Sequence, residues 1–256
     1  MGLLNLMEGL RHADDPHHPL AYGLHQMIVG SGLVARAFAQ RYAEDDSTVI
    51  FASGVSNSNE TDPAAFARER DMLSGHLAHG KRRLVYFGSC NVVNVKEHSA
   101  YFQHKREMEA LVIGSGHGTV LRLPQVVGRT LNPNTLTNFL RDCILQERQL
   151  TLWTGAQRNL IDIDDVAAIA THILDGGSPP PVVAIASPWS LPMPRIVDLF
   201  EQVLGRSARR ALVDRGEAMA IDSTLSEQVA RDIGVDFGPD YPLRVIQKYY
   251  GACHEA

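Results

Sequence analysis

The chain has 256 residues, a formal net charge of −5 at pH 7 and an ordinary globular composition, with 45% hydrophobic and 21% charged residues. The negative charge argues against a nucleic acid or an anionic membrane as the main partner, and no apolar run reaches the ~20 residues that would span a bilayer. The three cysteines, Cys90, Cys143 and Cys253, form no close-spaced pair, so we expect neither a metal site nor a disulfide framework, and a cytoplasmic location.

The chain divides into three parts by composition. Residues 1–25 are interpreted as an N-terminal extension, because residues 11–18 are polar and interrupted by proline, and no basic segment precedes an apolar block as in a secretory signal. Residues 26–178 are predicted to form the main nucleotide-binding domain. Residues 179–256 contain more Pro, Gly and charge, and are predicted to form most of a smaller substrate-binding lobe, interleaved with the main domain.

Short apolar segments alternate with amphipathic segments along the main domain. Strands are predicted at 24–29, 48–52, 84–87 and 119–123, and helices at 33–43, from residue 63 onward and at 101–113. This alternation is typical of an α/β fold with a doubly wound parallel sheet. Right-handed crossovers are expected, with the ligand at the carboxyl ends of the strands.

The pattern changes after Pro124. A helix that bears several apolar residues, Phe139 among them, is predicted from Asn132 onward, followed by a strand near residues 150–153. Asp164 and Asp165 are interpreted as the caps of the next helix, and a short strand is predicted at 182–186.

A glycine turn joins the first predicted strand to the first predicted helix. Gly30 permits a tight turn, Gly32 lets the backbone approach a pyrophosphate, and Ala35 is small enough for close helix–strand packing. The helix N-terminus adds free N–H groups and the positive end of its dipole. The turn therefore predicts a dinucleotide phosphate site, the alternative being an ordinary strand–helix turn.

Three polar side chains predict proton transfer near that turn. Ser89 follows the strand at 84–87, while Tyr101 and Lys105 are four residues apart and share one face of a helix. A free phenol has a pKa near 10, and a neighbouring ammonium group or a cationic nicotinamide would lower the pKa of Tyr101. Ser89 would orient the substrate oxygen.

In this order, these motifs resemble the extended short-chain dehydrogenase/reductases, the NAD-dependent epimerase/dehydratase family. Three further segments carry the resemblance: residues 49–54, 121–128 and 158–165. The likeness covers roughly residues 27–205. It implies a Rossmann-like fold and hydride transfer between NAD or NADP and a nucleotide-activated sugar, as in epimerases, dehydratases and reductases.

The resemblance also implies roles for individual residues. Tyr101 would be the general acid/base, Lys105 would bind the nicotinamide ribose, and Ser89 would polarise the carbonyl. Cofactor contacts are implied for Tyr101 and Lys105 and for ten further residues: Gly30, Ser31, Gly32, Leu33, Val34, Ala52, Ser53, Gly54, Pro124 and Val126. Substrate contacts are expected for Asn57, Cys90, Asn91, Gln125 and Arg158. For Arg158 the alternative is a surface ion pair with Asp162 or Asp164. A homodimer through the 101–113 helix and a role in surface-polysaccharide synthesis are further expectations.

The chain is shorter than this family's pattern. Only 57 positions separate Gly32 from Ser89 (89 − 32), where two additional strand–helix units are usual. The fold is therefore expected to be shortened on its adenine-binding side. Three hypotheses follow: a cofactor with weakened adenine contacts, a catalytically inactive protein that binds a sugar nucleotide or a protein partner, or a different ligand at the glycine turn.

Overall fold

The computed structural model describes residues 27–78, 82–94 and 96–251, so the extension over residues 1–25 lies outside the described residues. Strands and helices alternate through the first half of the chain, and helices dominate its end. In chain order the elements are β1 (Ile28–Val29), α1 (Leu33–Tyr42), β2 (Thr48–Phe51), α2 (Pro63–Ala78), β3 (Arg83–Ser89), α3 (Ala100–Gly114), β4 (Gly118–Leu123), β5 (Gln125–Val127), α4 (Leu136–Leu145), β6 (Gln149–Trp153), β7 (Gln157–Asp162), α5 (Ile163–Asp175), β8 (Val182–Ala184), β9 (Ser190–Pro192), α6 (Met193–Leu204), β10 (Arg209–Val213), α7 (Thr224–Ile233) and α8 (Tyr241–Tyr250).

The centre of the fold is a parallel five-stranded sheet in the order β1-β2-β3-β4-β8. Each residue of β2 is buried, because helices cover both faces of the sheet. A three-stranded sheet, β5-β7-β9, and a parallel pair, β10-β6, complete the strands. The predicted α/β fold with a parallel sheet is confirmed.

The helices lie on opposite faces of the central sheet. Ile50, Val85 and Leu121 face α1 and α5, whereas the alternate residues Phe51 and Leu84 face α2 and α3. The strands β1 to β4 follow one another in a single direction across the sheet, but α1 covers one face while α2 and α3 cover the other. The β1–α1–β2 crossover therefore has the opposite hand to β2–α2–β3 and β3–α3–β4. The expectation that all crossovers are right-handed is therefore wrong for one of them. Because crossovers between parallel strands are nearly always right-handed, we assign the left-handed connection to β1–α1–β2.

Residues from the second half of the chain form a separate apolar cluster beside the central sheet. Its core includes Leu140, Leu152, Ile196, Phe200 and Ile246, which come from α4, β6, α6 and α8. In contrast, β8 is the fifth strand of the central sheet and α7 packs with the α1–α5 layer.

Helix starts agree with the sequence in one case and differ in two. Pro63 is the first residue of α2, and the Asp62 carboxylate accepts from the Ala64 N–H at 2.9 Å. The helix predicted from Asn132 begins only at Leu136, because Thr135 is its cap. Its Phe139 is 45% exposed, whereas Leu140 and Ile144 are buried.

The cap of α5 also differs from the prediction. Asp162, rather than Asp164 or Asp165, precedes the helix and accepts the Asp164 N–H at 2.9 Å. Asp164 and Asp165 instead occupy the first turn. None of the helices in the described part of the chain is long and apolar enough to cross a membrane.

Candidate active site

The carboxyl ends of β1, β2, β3 and β4 surround one cavity of about 870 Å³. All of the predicted site residues line this cavity except Asn57. The side-chain oxygen of Asn57 accepts from the Asn59 N–H at 3.1 Å, so this residue closes a local turn. Ser58 and Asn59 line the cavity from the same loop.

The glycine turn lines the cavity with Gly30, Ser31 and Gly32. Gly30 has a φ of +119°, and a Cβ at this position would lie 2.5 Å from the Ala52 carbonyl oxygen. Gly32 precedes α1, and a Cβ there would meet open space. α1 has no side-chain cap and no acidic residue in its first turn, so its N-terminus is suited to an anion.

These features fit one half of a nicotinamide dinucleotide better than the other. The uncapped α1 suits the pyrophosphate, and the residues at the ends of β2, β3 and β4 suit the nicotinamide ribose. On the adenosine side the central sheet ends at β1 among the described residues. Arg36 lies near the turn, where its guanidinium donates to the carbonyls of Ser31, at 3.0 Å, and Arg129, at 3.3 Å.

Tyr101 lies in the first turn of α3 and is almost completely buried. Its ring packs edge-on against Phe102, with ring centroids 4.9 Å apart. The Lys105 Nζ atom is 5.8 Å from the centroid of the tyrosine ring. Burial, and secondly the Glu69 carboxylate, raise the pKa of Tyr101 to about 12. The expected lowering of this pKa is therefore wrong for the protein by itself.

Lys105 does not offset this shift, because its ammonium forms an ion pair behind the tyrosine. The Lys105 ammonium lies 3.1 Å from Glu69 Oε1 and 3.0 Å from the Tyr86 hydroxyl, and both Lys105 and Glu69 are buried. Burial lowers the pKa of Lys105, and Glu69 opposes this shift. Burial alone would raise the pKa of Glu69, but Lys105 and hydrogen bonds from Val55 N–H and Tyr86 lower it on balance. The charge of Lys105 is thus neutralised by Glu69.

Ser89 ends β3 at the same edge of the cavity. Its Oγ accepts from the Asn91 N–H at 3.3 Å and caps a short 3-10 turn, Cys90–Val93. Because the hydroxyl accepts this bond, its own proton is available to a substrate oxygen. Burial raises the pKa of the Cys90 thiol to about 12, so this residue is a neutral part of the wall.

Arg158 lines the cavity from β7, a strand of the three-stranded sheet. Its guanidinium donates to the Gln157 carbonyl at 2.7 Å, and burial lowers its pKa. The ion pair considered for Arg158 is absent from the described residues, because Asp162 and Asp164 both bind Lys248, at 2.6 and 2.7 Å. Arg158 thus lines the cavity with a guanidinium group that forms no ion pair with Asp162 or Asp164.

Sequence reasoning missed several residues of the site. Arg68 lines the cavity from α2, and Glu97, Trp153 and Met219 line it from more distant segments. Glu69 is the most consequential of those missed. It follows Phe66 by three positions and precedes Leu73 by four, so a carboxylate on the apolar face of α2 was the available signal.

A parallel sheet whose glycine turn, helix N-terminus and Ser-Tyr-Lys side chains meet around one cavity defines a Rossmann-like fold. The model of the NAD dependent epimerase/dehydratase family matches residues 28–186, and the chain belongs to that family. A search of curated proteins found no match.

Solved structures of similar fold are distant in sequence. UDP-glucuronic acid 4-epimerase from Bacillus cereus, in complex with UDP-glucuronic acid and NAD, is 16% identical with a TM-score of 0.62, over 86% of this chain and 78% of that one. dTDP-glucose 4,6-dehydratase from Bacillus anthracis, in complex with NAD, is 14% identical with a TM-score of 0.61, over 84% of this chain and 74% of that one. RMD from Pseudomonas aeruginosa, complexed with NADPH, is 15% identical with a TM-score of 0.57, over 86% of this chain and 85% of that one. At these identities the likeness concerns the fold.

Proposed function

We propose that this protein is an NAD(P)-dependent oxidoreductase or epimerase that acts on a nucleotide-activated sugar, with Tyr101 as the general acid/base. The observation that carries the proposal is the meeting of Ser89, Tyr101 and Lys105 with the glycine turn around one cavity. Family membership supports it, as do the structures of similar fold that contain NAD or NADPH.

The residues around the cavity have separate roles in this proposal. The N-terminus of α1 binds the cofactor phosphates, and Lys105 the nicotinamide ribose. When bound, the cofactor supplies or accepts a hydride. Ser89 donates a hydrogen bond to the reacting oxygen, Tyr101 exchanges a proton with it, and Arg158 pairs with the diphosphate of the sugar nucleotide.

The shortened adenine side predicts weak cofactor binding. Because no described strand lies beyond β1, the adenosine loses the wall that two further strands would provide. A dinucleotide then depends on the phosphate and nicotinamide contacts. We expect affinity in the high micromolar to millimolar range, equivalent to about 4–6 kcal/mol of binding free energy.

Ligand-dependent melting of the purified protein tests this function. Millimolar NAD, NADH, NADP or NADPH is expected to raise the melting temperature, because a ligand that binds only the folded state stabilises it. Tyr101→Phe is expected to retain this shift and abolish turnover of nucleotide sugars. No shift with any of the four dinucleotides would contradict the proposal.

A catalytically inactive protein of the same fold is the second candidate. Two observations favour it: the described part of the central sheet ends at β1, and Lys105 is neutralised by Glu69. This candidate predicts that a nucleotide sugar raises the melting temperature while all four dinucleotides do not.

The proposal includes a cellular location, a pathway and an oligomeric state. We expect cytoplasmic action in surface-polysaccharide synthesis and a homodimer formed through α3, on which Leu111 and Ile113 are 40% and 43% exposed. Sedimentation of wild-type protein and of Leu111→Glu tests the dimer.

A further inference from the structure

We propose that Glu69 is a positioning residue that neutralises Lys105 and keeps Tyr101 a proton donor, so that the site reduces a carbonyl group with NADH or NADPH. This inference rests on the proposed function and narrows it to reduction of a keto sugar nucleotide. It assigns Glu69 no contact with the substrate, since Glu69 lies behind the cavity wall.

Glu69 is held by donors on three sides. Its Oε2 accepts from the Val55 N–H at 2.6 Å, and its Oε1 accepts from the Tyr86 hydroxyl at 2.7 Å and from Lys105 Nζ at 3.1 Å. The His104 Nε2 atom lies 3.0 Å from Oε2. A fully buried carboxylate with this number of partners has a fixed position.

The other titratable groups near Lys105 and Glu69 have partners of their own or contact Glu69. Glu109 on α3 also faces Lys105, but its carboxylate binds the Arg122 guanidinium at 2.7 Å. The Tyr86 hydroxyl on β3 donates to Glu69, and the His104 Nε2 atom on α3 lies 3.0 Å from the Glu69 carboxylate. The Lys105 ammonium lies 5.8 Å from the centroid of the Tyr101 ring, and its counter-charge on Glu69 is 3.1 Å away.

The protonation state of Tyr101 determines whether the site is ready for carbonyl reduction or for alcohol oxidation. In reduction, the carbonyl carbon accepts a hydride from the reduced nicotinamide and the oxygen accepts the Tyr101 phenol proton, which leaves an alcohol, an oxidised nicotinamide and a phenolate. The phenolate then takes a proton from water. Oxidation of an alcohol, the first step of epimerisation, needs the phenolate at the start. A buried phenol beside a neutralised lysine begins as the donor.

The state of Tyr101 can be measured without cofactor or substrate. Tyrosinate formation is followed by ultraviolet absorbance as the pH is raised, and the difference between wild type and Tyr101→Phe isolates Tyr101. We expect a midpoint clearly above 10, the value of free tyrosine. In Glu69→Gln, compared with the Glu69→Gln/Tyr101→Phe double variant, the midpoint is expected about 1 pH unit or more lower, because the carboxylate charge that raises the pKa of Tyr101 is then removed.

Tyr86→Phe is the matched control, because it removes one hydrogen bond to Glu69 and one from Lys105 but leaves both charges of the pair. Its Tyr101 midpoint is expected to stay within a few tenths of a pH unit of the wild-type value. An unchanged midpoint in Glu69→Gln overturns the proposal. If Glu69→Gln does not fold, the wild-type titration still decides, since a Tyr101 midpoint at or below 10 overturns it.

Turnover then tests the direction. With keto sugar nucleotides and NADH or NADPH, wild type is expected to react faster at pH 7 than with the corresponding alcohols and NAD or NADP, and Glu69→Gln is expected to narrow this ratio at least tenfold. Faster oxidation than reduction in wild type would overturn the proposal. Failure of every dinucleotide to bind would defeat the proposed function, while the titration would still report on Glu69.

Discussion

The α-carbon of Gly30 faces the carbonyl oxygen of Ala52 where β1 and β2 end, and a Cβ on Gly30 would lie only 2.5 Å from that oxygen. The φ of +119° at Gly30 is also one that residues with a side chain rarely adopt. Gly32, two residues later, has an ordinary φ of −73° and open space around it. The two glycines therefore have different physical requirements.

Substitution separates those requirements. Gly30→Ala is expected to lower the free energy of unfolding by at least about 2 kcal/mol, from backbone strain and the collision with Ala52. Gly32→Ala is expected to keep stability near wild type and to weaken dinucleotide binding, because the methyl group occupies the phosphate side of the turn. Urea unfolding and ligand-dependent melting check the pair. Equal stability of the two variants would contradict this interpretation.

Gly54 is predicted to protect the ion pair behind Tyr101. A Cβ at Gly54 would lie 2.7 Å from Lys105 Nζ and 2.8 Å from Glu69 Oε1. Gly54→Ala should therefore push the pair apart and cost about 1–3 kcal/mol in urea unfolding. The matched control is Gly75→Ala in α2, where a Cβ meets nothing within 4 Å and a gain of about 0.5–1 kcal/mol is expected. A neutral Gly54→Ala would show that the pair adapts freely.

Arg158 is expected to contribute to binding rather than to folding. Arg158→Ala should weaken nucleotide-sugar binding by about 2 kcal/mol, roughly 30-fold, since a charge-assisted bond to phosphate is lost. Calorimetry with a UDP-sugar measures the change. Arg195→Ala, on the exposed face of α6, is the control and should leave the affinity unchanged. Equal affinities for the two variants would remove Arg158 from the site.

Asp165 is predicted to make stability fall as pH rises. Its pKa is raised, chiefly by burial and by the Asp162 charge, although the Tyr241 hydroxyl donates to it at 2.6 Å. The folded protein thus holds a proton that the unfolded chain releases near pH 4, and stability declines from there through the raised pKa. Asp165→Asn should match wild type near pH 4 and exceed it at pH 7 in urea unfolding. Equal losses at both pH values would contradict this.

Much of the site was predictable because of the geometry of parallel strands. The carboxyl ends of neighbouring parallel strands share one edge, so Gly30, Ala52, Ser89 and Pro124 had to meet if the strands were correctly placed. The ends of strands are marked by local signals, namely apolar runs followed by Gly, Ser or Pro. This explains why residues far apart in the chain were assigned to one cavity.

Other features depended on contacts that local signals do not encode. Lys105 follows Tyr101 by one helical turn, but its partner Glu69 comes from another helix, 36 residues earlier. The β10–β6 pairing joins strands about 60 residues apart and shows no shared motif in either strand. The face on which α1 packs is likewise decided by α5, far along the chain.

The reversed hand of β1–α1–β2 has a consequence for how the chain folds. A left-handed unit has little tendency to form alone, and α1 is anchored to α5 through contacts such as the Arg41–Asp175 ion pair at 3.2 Å. These residues are 134 positions apart, so closing that loop carries a substantial entropy cost. We therefore expect β1 and α1 to join a nucleus already formed by β2, β3 and β4, and their amides to show the weakest hydrogen-exchange protection of the central sheet.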